Sequence, residues 1–150
     1  MIINVVPRKF VKMFTAKDEF FKNNNFISIG EQEGYEGVSA NGSNILKLVF
    51  DDASPSEAGL VLFSPEQARS IKKFVDTIDK TKALYVNCFA GISRSGAVGT
   101  VINDYVNCYL NDCKKNTDWD LFFQRNPQIL PNAYVMRVMR EEFWSNLEEG

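Results

Sequence analysis

Residues 86–96 read VNCFAGISRSG, and this short segment is the most informative part of the sequence. It follows an apolar run at 83–86 that predicts a buried strand, and it precedes a largely apolar run from Ala97 to Leu110 that predicts a helix. Gly91 and Gly96 permit backbone angles that other residues avoid, so successive amide N–H groups can turn inward where that helix starts. The segment therefore predicts an α/β fold in which a strand-to-helix loop binds an anion.

The residue types in this loop suit attack by a thiolate on a phosphate group. Backbone amides, the helix dipole and a guanidinium group would all stabilise Cys88 as a thiolate. Arg94, six positions later, has a planar fork that can bind two phosphate oxygens, and the Ser95 hydroxyl can donate to the sulfur. We therefore predict Cys88 as nucleophile, Arg94 as phosphate clamp and Ser95 as a further catalytic residue. The predicted phosphate-binding residues are Phe89, Ala90, Gly91, Ile92, Ser93 and Arg94. The simpler alternative is a Gly-rich turn around a structural cysteine.

The absence of histidine narrows the possible mechanisms. The 150 residues contain no histidine, which excludes Ser-His-Asp and Cys-His catalysis and histidine-based metal sites. Any nucleophile must therefore be activated by the loop itself. Because the loop amides and Arg94 can supply the charge stabilisation, we predict neither a metal nor an organic cofactor.

Outward from the loop, predicted strands alternate with predicted helices. Apolar, β-branched runs predict strands at 2–6, 26–29, 45–50 and 83–86. Helical spacing predicts helices near 10–14, from 65 to 78, from 97 to 110 and from 134 to 144. Ser64, Pro65 and Gln67 form a strong helix start with a capping box. The pattern predicts a mostly parallel central sheet of four to five strands flanked by helices, in a single domain spanning residues 1–150.

Composition excludes several functional classes. The net charge is −2 and no dense Lys/Arg run occurs, so a nucleic-acid partner is not expected. No apolar run approaches the length of a membrane span, and residues 1–6 lack the layout of a signal peptide. The odd count of three cysteines favours a reducing compartment, with Cys108 and Cys113 as buried or incidental thiols. We predict a cytoplasmic protein without a membrane partner. The sequence does not indicate an oligomeric state.

Two segments resemble a known family. Residues 88–95, CFAGISRS, and especially residues 90–95, look like the signature loop of dual-specificity protein phosphatases, and we call residues 88–95 the signature loop. Residues 126–132, NPQILPN, resemble that family's C-terminal Pro-x-Ile-x-Pro-Asn segment. The likeness covers Ile45 to Phe143, and the N-terminal third is consistent with compact bacterial or viral members. The resemblance implies a protein tyrosine phosphatase-like fold and a two-step reaction through a phosphocysteine.

The resemblance also implies a general acid on a loop upstream of the signature. Asp52 directly follows a predicted strand and lies 88 − 52 = 36 positions before Cys88, so it is our first choice as proton donor. Asp51 is the second choice and Glu57 the third. The alternative for either aspartate is a solvated strand end or a turn-former.

One position departs from the family pattern. The residue before the nucleophile is normally histidine, whereas this chain has Asn87. An amide side chain can hold the loop by hydrogen bonds without adding charge, so we predict that Asn87 supports the loop. Asn132, in the C-terminal segment, is the second predicted loop-supporting residue. We also expect a higher thiol pKa than in family members with the histidine.

Side chains at the loop entrance bear on the substrate. Phe89, Ala90 and Ile92 are apolar, whereas the inositol-lipid phosphatases of the superfamily resemble a loop with added lysines. The predicted partner is a phosphorylated protein substrate carrying phosphotyrosine, with phosphoserine and phosphothreonine left open. Polyphosphorylated lipids and RNA 5′-triphosphates are disfavoured.

Three alternatives remain open. Asn87 motivates a slow or inactive module that binds phosphorylated partners. Arsenate reduction or sulfur transfer would use a similar loop but needs partner thiols or another loop length. A thiolate of low pKa could also be regulated by oxidation to a sulfenic acid or sulfenamide.

Overall fold

The computed structural model describes residues 1–32, 34–111 and 117–145. Within these ranges, four parallel strands form one sheet in the order β1-β4-β2-β3. The strands are β1 (Ile3–Pro7), β2 (Asn25–Gly30), β3 (Ile45–Val49) and β4 (Leu84–Cys88). The prediction of a parallel α/β sheet flanked by helices is confirmed.

The strand that leads into the signature loop is an inner strand. β4 pairs with β1 on one side and with β2 on the other. The register sets Pro7 opposite Cys88, and Ser28 opposite Asn87. Because parallel strands end at the same edge of a sheet, the residues that follow β1 and β2 lie next to the signature loop.

Six α-helices lie in the described ranges. They are α1 (Arg8–Val11), α2 (Glu19–Asn23), α3 (Pro65–Thr77), α4 (Arg94–Ile102), α5 (Thr117–Arg125) and α6 (Ala133–Trp144). The predicted capping box of α3 is present, because Ser64 Oγ accepts from the Gln67 amide at 3.1 Å and Gln67 Oε1 accepts from the Ser64 amide at 3.1 Å.

The helix after the signature loop differs from the prediction at both ends. It starts at Arg94 rather than at Ala97, so the last signature residues form its first turn. From Asn103 to Cys108 the backbone continues as a π-helix, followed by a 3₁₀ turn at Tyr109–Asn111. Within the π-helix, Asn107 Nδ2 donates to Asn103 Oδ1 at 2.9 Å. The early start brings the helix N-terminus to the floor of the loop.

The two faces of the sheet are packed differently. Leu84, Val86 and Cys88 of β4 point into the larger core, which α3, α4 and α6 cover. Tyr85 points the other way, into a smaller cluster rich in phenylalanine that includes Phe21 and Phe26. Since side chains alternate along a strand, Asn87 lies on the face of Tyr85 and not on that of Cys88. No helix in the described ranges is both long enough and apolar enough to cross a bilayer.

Candidate active site

The signature loop lies tightly against the end of β1. Gly91 has φ +70°, a conformation that favours glycine. A Cβ atom at this position would approach the Val6 carbonyl carbon and the Pro7 nitrogen to 2.5 Å. Glycine is therefore required here both by the backbone angle and by the space available.

Surrounding segments hold the loop carbonyls outward. Four of these oxygens accept hydrogen bonds from residues outside the loop. The bonds are Arg8 N to Phe89 O (3.1 Å), Gln128 Nε2 to Gly91 O (3.1 Å), Leu130 N to Ile92 O (3.0 Å) and Asn132 N to Ser93 O (3.1 Å). Three of the four donors belong to the NPQILPN segment, so this segment holds the loop in position. With the carbonyls turned away, the loop amides face the cysteine.

Cys88 lies at the centre of these amides. It is 2% exposed, and its Sγ lies 3.0 Å from Ser95 Oγ. Burial raises the pKa of the Cys88 thiol, but hydrogen bonds from the Ser95 hydroxyl and from the amides of Ser95, Ile92 and Gly91 more than offset this. The pKa of Cys88 therefore lies below its ordinary value, as a thiolate nucleophile requires.

Arg94 is held by the ends of β2 and β3. The side chain is 5% exposed, and its Nη1 donates to Phe50 O at 2.8 Å. Its Nη2 donates to Glu31 Oε1 at 2.7 Å. No group of the described residues is hydrogen-bonded to Arg94 Nε. The guanidinium is thus fixed along one side, and its Nε side remains for an oxyanion.

A second arginine shares Glu31, and neither residue was predicted from the sequence. Arg8 Nη2 donates to Glu31 Oε1 at 2.8 Å and to Oε2 at 2.6 Å. Arg8 is 8% exposed, and its Cζ lies 5.3 Å from the centre of the Phe89 ring. Partial burial raises the pKa of Glu31. The hydrogen bonds from Arg94 and Arg8 lower this pKa by more than burial raises it, so it lies below its usual range. The sequence contained one indication of their role, because Arg8 directly follows β1 and Glu31 directly follows β2, at the edge of the sheet where ligands bind.

Asp52 and Asp51 occupy different environments. Asp52 is exposed, and its Oδ1 accepts from Ser93 Oγ at 2.8 Å and from Asn132 Nδ2 at 2.8 Å. Asp51 is buried, and its Oδ2 accepts from the Val61 amide at 2.8 Å. Asp52 therefore lies at the rim of the signature loop, while Asp51 fastens its own loop.

Glu57, the third candidate acid, lies away from the signature residues. Its Oε1 accepts from the Ser54 amide at 3.1 Å and from Ser54 Oγ at 3.3 Å. These contacts are local to its own loop, so Glu57 has the contacts of a turn-former.

Asn132 connects three parts of the site. Its backbone amide donates to the signature loop, and its Nδ2 donates to Asp52 and to Ala53 O, the latter at 3.2 Å. Its Oδ1 accepts from the Val135 amide at 3.1 Å and so caps the N-terminus of α6. This is the geometry that loop support requires.

Asn87 does not make the predicted hydrogen bonds. The side chain is 1% exposed, and neither its oxygen nor its nitrogen has a hydrogen-bond partner among the described residues. The reason is the alternation along β4, which directs Asn87 away from the loop and toward the face of Ser28. The expectation that Asn87 holds the loop by hydrogen bonds is therefore corrected.

An open cleft lies beside Arg94. Its volume is about 540 Å³, and its lining residues are Arg8, Glu31, Gly34, Glu36, Phe89 and Arg94. Phe89 is 66% exposed and forms part of the wall. The cleft combines an aromatic wall with two cations and two carboxylates.

Comparisons with known proteins identify the fold. No protein-family model matches the sequence, and no curated protein matches it significantly. The human tyrosine phosphatase-like serine/threonine/tyrosine-interacting protein is similar in structure, with a TM-score of 0.62 and 19% identity over 99% of this chain and 93% of that one. Human DUSP28 gives a TM-score of 0.56 and 15% identity over 99% and 95% of the two chains. PTPMT1 in complex with PI(5)P gives 0.57 and 13% over 99% and 94%. The chain therefore has the fold of the dual-specificity phosphatases of the protein tyrosine phosphatase superfamily.

Proposed function

We propose that this chain is a cysteine-dependent protein phosphatase that hydrolyses phosphate monoesters through a phosphocysteine. The observation that carries the proposal is the environment of Cys88, where a hydroxyl and three loop amides lower the pKa of a buried thiol. A structural cysteine has no need of such donors, whereas a nucleophile without a histidine partner does.

In the first step, the Cys88 thiolate attacks phosphorus. A sulfur–phosphorus bond forms as the ester oxygen leaves, and Asp52 in its protonated form gives that oxygen its proton. The loop amides and the Nε side of Arg94 bind the three remaining phosphate oxygens.

In the second step, water attacks the phosphocysteine. The Asp52 carboxylate accepts a proton from the water, inorganic phosphate forms and the Cys88 thiolate is released. Ser95, 3.0 Å from the sulfur, stabilises the departing thiolate by hydrogen bonding. Groups of this chain stabilise every charge that develops during the two steps, so the proposed mechanism requires neither a metal nor a cofactor.

The charge of the cleft supports a phosphorylated protein as substrate. Residues 86–96 contain no lysine, and Glu31 and Glu36 lie in the cleft together with Arg8 and Arg94. Such a cleft suits one phosphate group better than a headgroup with several. PTPMT1 has been solved with PI(5)P, so a lipid monoester is the comparison substrate to test. Phosphotyrosine is the first candidate, because Phe89 offers an aromatic wall.

A second candidate function is capture of phosphorylated partners without turnover. The unpartnered amide of Asn87, the residue before the nucleophile, favours it. One similar structure is also described as a phosphatase-like interacting protein. The combination of Cys88, Ser95 and an aspartate at the rim favours the enzyme, because binding alone needs no thiol.

The test is hydrolysis of para-nitrophenyl phosphate from pH 5 to 8. The unchanged chain should turn over, Cys88→Ser should abolish turnover, and the matched control Cys108→Ser should retain it. Equal activity in Cys88→Ser would refute the mechanism. A folded chain that binds a phosphotyrosine peptide but releases no phosphate would instead support the binding module.

A further inference from the structure

Three charged side chains lie together along the cleft beside the signature loop. Arg8 follows β1, Glu31 follows β2, and Arg94 begins α4. Glu31 Oε1 accepts from both arginines, at 2.8 Å from Arg8 and 2.7 Å from Arg94. Glu31 Oε2 accepts from Arg8 at 2.6 Å. The carboxylate thus binds Arg8 through two oxygens and Arg94 through one.

The charges of this cluster pose a problem for phosphate binding. Glu31 fixes Arg94, but a lone carboxylate there would neutralise the clamp and repel a phosphate dianion. Both arginines are almost fully buried, so water screens these interactions less than it would at a surface. With Arg8 included, the two guanidinium groups and one carboxylate give the cluster a net charge of +1. The second arginine restores the charge that Glu31 removes.

We propose that Arg8 is a positioning residue that neutralises Glu31, so that Glu31 holds Arg94 in place without competing with the phosphate. The proposal rests on the proposed phosphatase function and adds the charge balance behind the clamp. Arg8 acts through Glu31 and Arg94 and needs no contact of its own with the reacting atoms.

The remaining contacts of Arg8 fix it in this position. Its backbone amide donates to Phe89 O at 3.1 Å, and its guanidinium lies over the Phe89 ring. Arg8 thus contacts the loop residue next to Cys88 as well as the carboxylate that holds Arg94. A purely structural role for these contacts predicts a different result from a charge role, and variants can separate the two.

The experiment measures binding of inorganic phosphate by calorimetry, and kcat and KM with para-nitrophenyl phosphate. Four variants are needed: Arg8→Gln, Glu31→Gln, the double variant, and Arg69→Gln as control. Arg69 is an exposed arginine of α3 that pairs with Glu142 at 3.1 Å, so its loss should change nothing in the cleft.

We expect Arg8→Gln to weaken phosphate binding about 10-fold or more and to raise KM more than it lowers kcat. Without the Glu31 carboxylate, Arg8 has no charge to neutralise, so phosphate binding by the double variant should lie within about 3-fold of that by Glu31→Gln. A double variant as weak as Arg8→Gln would overturn the proposal, and so would unchanged binding in Arg8→Gln.

Arg8→Lys keeps the positive charge and removes the guanidinium group. This variant replaces Arg8→Gln if Arg8→Gln does not fold. A charge role predicts that Arg8→Lys keeps most of the phosphate affinity, whereas a packing role of the guanidinium predicts the full loss. A chain that hydrolyses the substrate but is insensitive to Arg8→Gln would overturn this inference alone. Failure of the unchanged chain to bind phosphate would overturn the proposed function as well.

Discussion

The two sides of the candidate active site are built in opposite ways. On one side, Arg94 and Arg8 are nearly fully buried and are bound to Glu31 and to strand-end carbonyls. On the other side, Asp52 is exposed and accepts hydrogen bonds from the Ser93 hydroxyl and from the Asn132 side-chain amide. Binding a phosphate requires fixed charges that are weakly screened, while proton transfer requires a carboxyl group that can change charge easily. The buried side suits the first task and the exposed side the second.

The largest effect should come from the buried side. Arg94→Lys keeps the charge but loses the planar fork that spans Phe50, Glu31 and the phosphate. We expect kcat/KM with para-nitrophenyl phosphate to fall by about 10²- to 10³-fold, the loss typical of removing an oxyanion donor. Activity within a few-fold of the unchanged chain would show that only the charge of Arg94 matters.

The second-largest loss of activity should come from a change on the exposed side. Asp52→Asn removes the proposed proton donor and should lower kcat about 10²-fold for an alkyl phosphate. The loss should be smaller for para-nitrophenyl phosphate, whose leaving group needs less protonation. Asp51→Asn is the matched control, because asparagine keeps the acceptor that binds the Val61 amide, and it should retain activity. A larger loss in Asp51→Asn would reverse the assignment of the acid.

A smaller effect is expected for the group that stabilises the thiolate. Only the thiolate attacks, so activity is lost as the pH falls below the pKa of Cys88. Ser95→Ala removes one of the hydrogen bonds that lower this pKa, so the acid limb of the kcat/KM profile should move to higher pH. Alkylation of Cys88 by iodoacetamide as a function of pH checks the same shift directly. An unchanged profile would mean that the loop amides set the pKa without Ser95.

The smallest effect concerns Asn87, which belongs to neither side of the candidate active site. An unpaired buried amide costs about 1–3 kcal/mol, so Asn87→Leu should raise the free energy of unfolding by about 1 kcal/mol in urea titrations. Asn25 is an equally buried asparagine whose Nδ2 donates to Asp79 O at 2.9 Å, and Asn25→Leu should be destabilising instead. Destabilisation of similar size in both variants would show that Asn87 has a partner after all.

The sequence predicts one part of this site well and the other part poorly. Cys88, Arg94 and Ser95 lie in one continuous segment, so their spacing alone brings them to one loop. Asp52 was accessible because it follows a strand. Glu31 also follows a strand, but it could not be chosen from the sequence, because its role depends on which strands neighbour β4 and no local pattern predicts the order β1-β4-β2-β3.

Asn87 shows the other limit of sequence reasoning. Its residue type suggested hydrogen bonds to the loop, but strand geometry decides where the side chain points. The alternation of Leu84, Val86 and Cys88 on the core face already carried that information. The alternation of side chains along the strand was therefore a better guide than the family position of the residue.

The most direct test of the central claim is detection of the phosphocysteine. The chain is mixed with para-nitrophenyl phosphate, quenched in denaturant within the first turnovers, and digested for mass spectrometry. We predict an adduct of about 80 Da, one phosphoryl group, on the peptide that contains Cys88. Product formation with no adduct, or with an adduct on another residue, would show that the reaction does not pass through a phosphocysteine at Cys88.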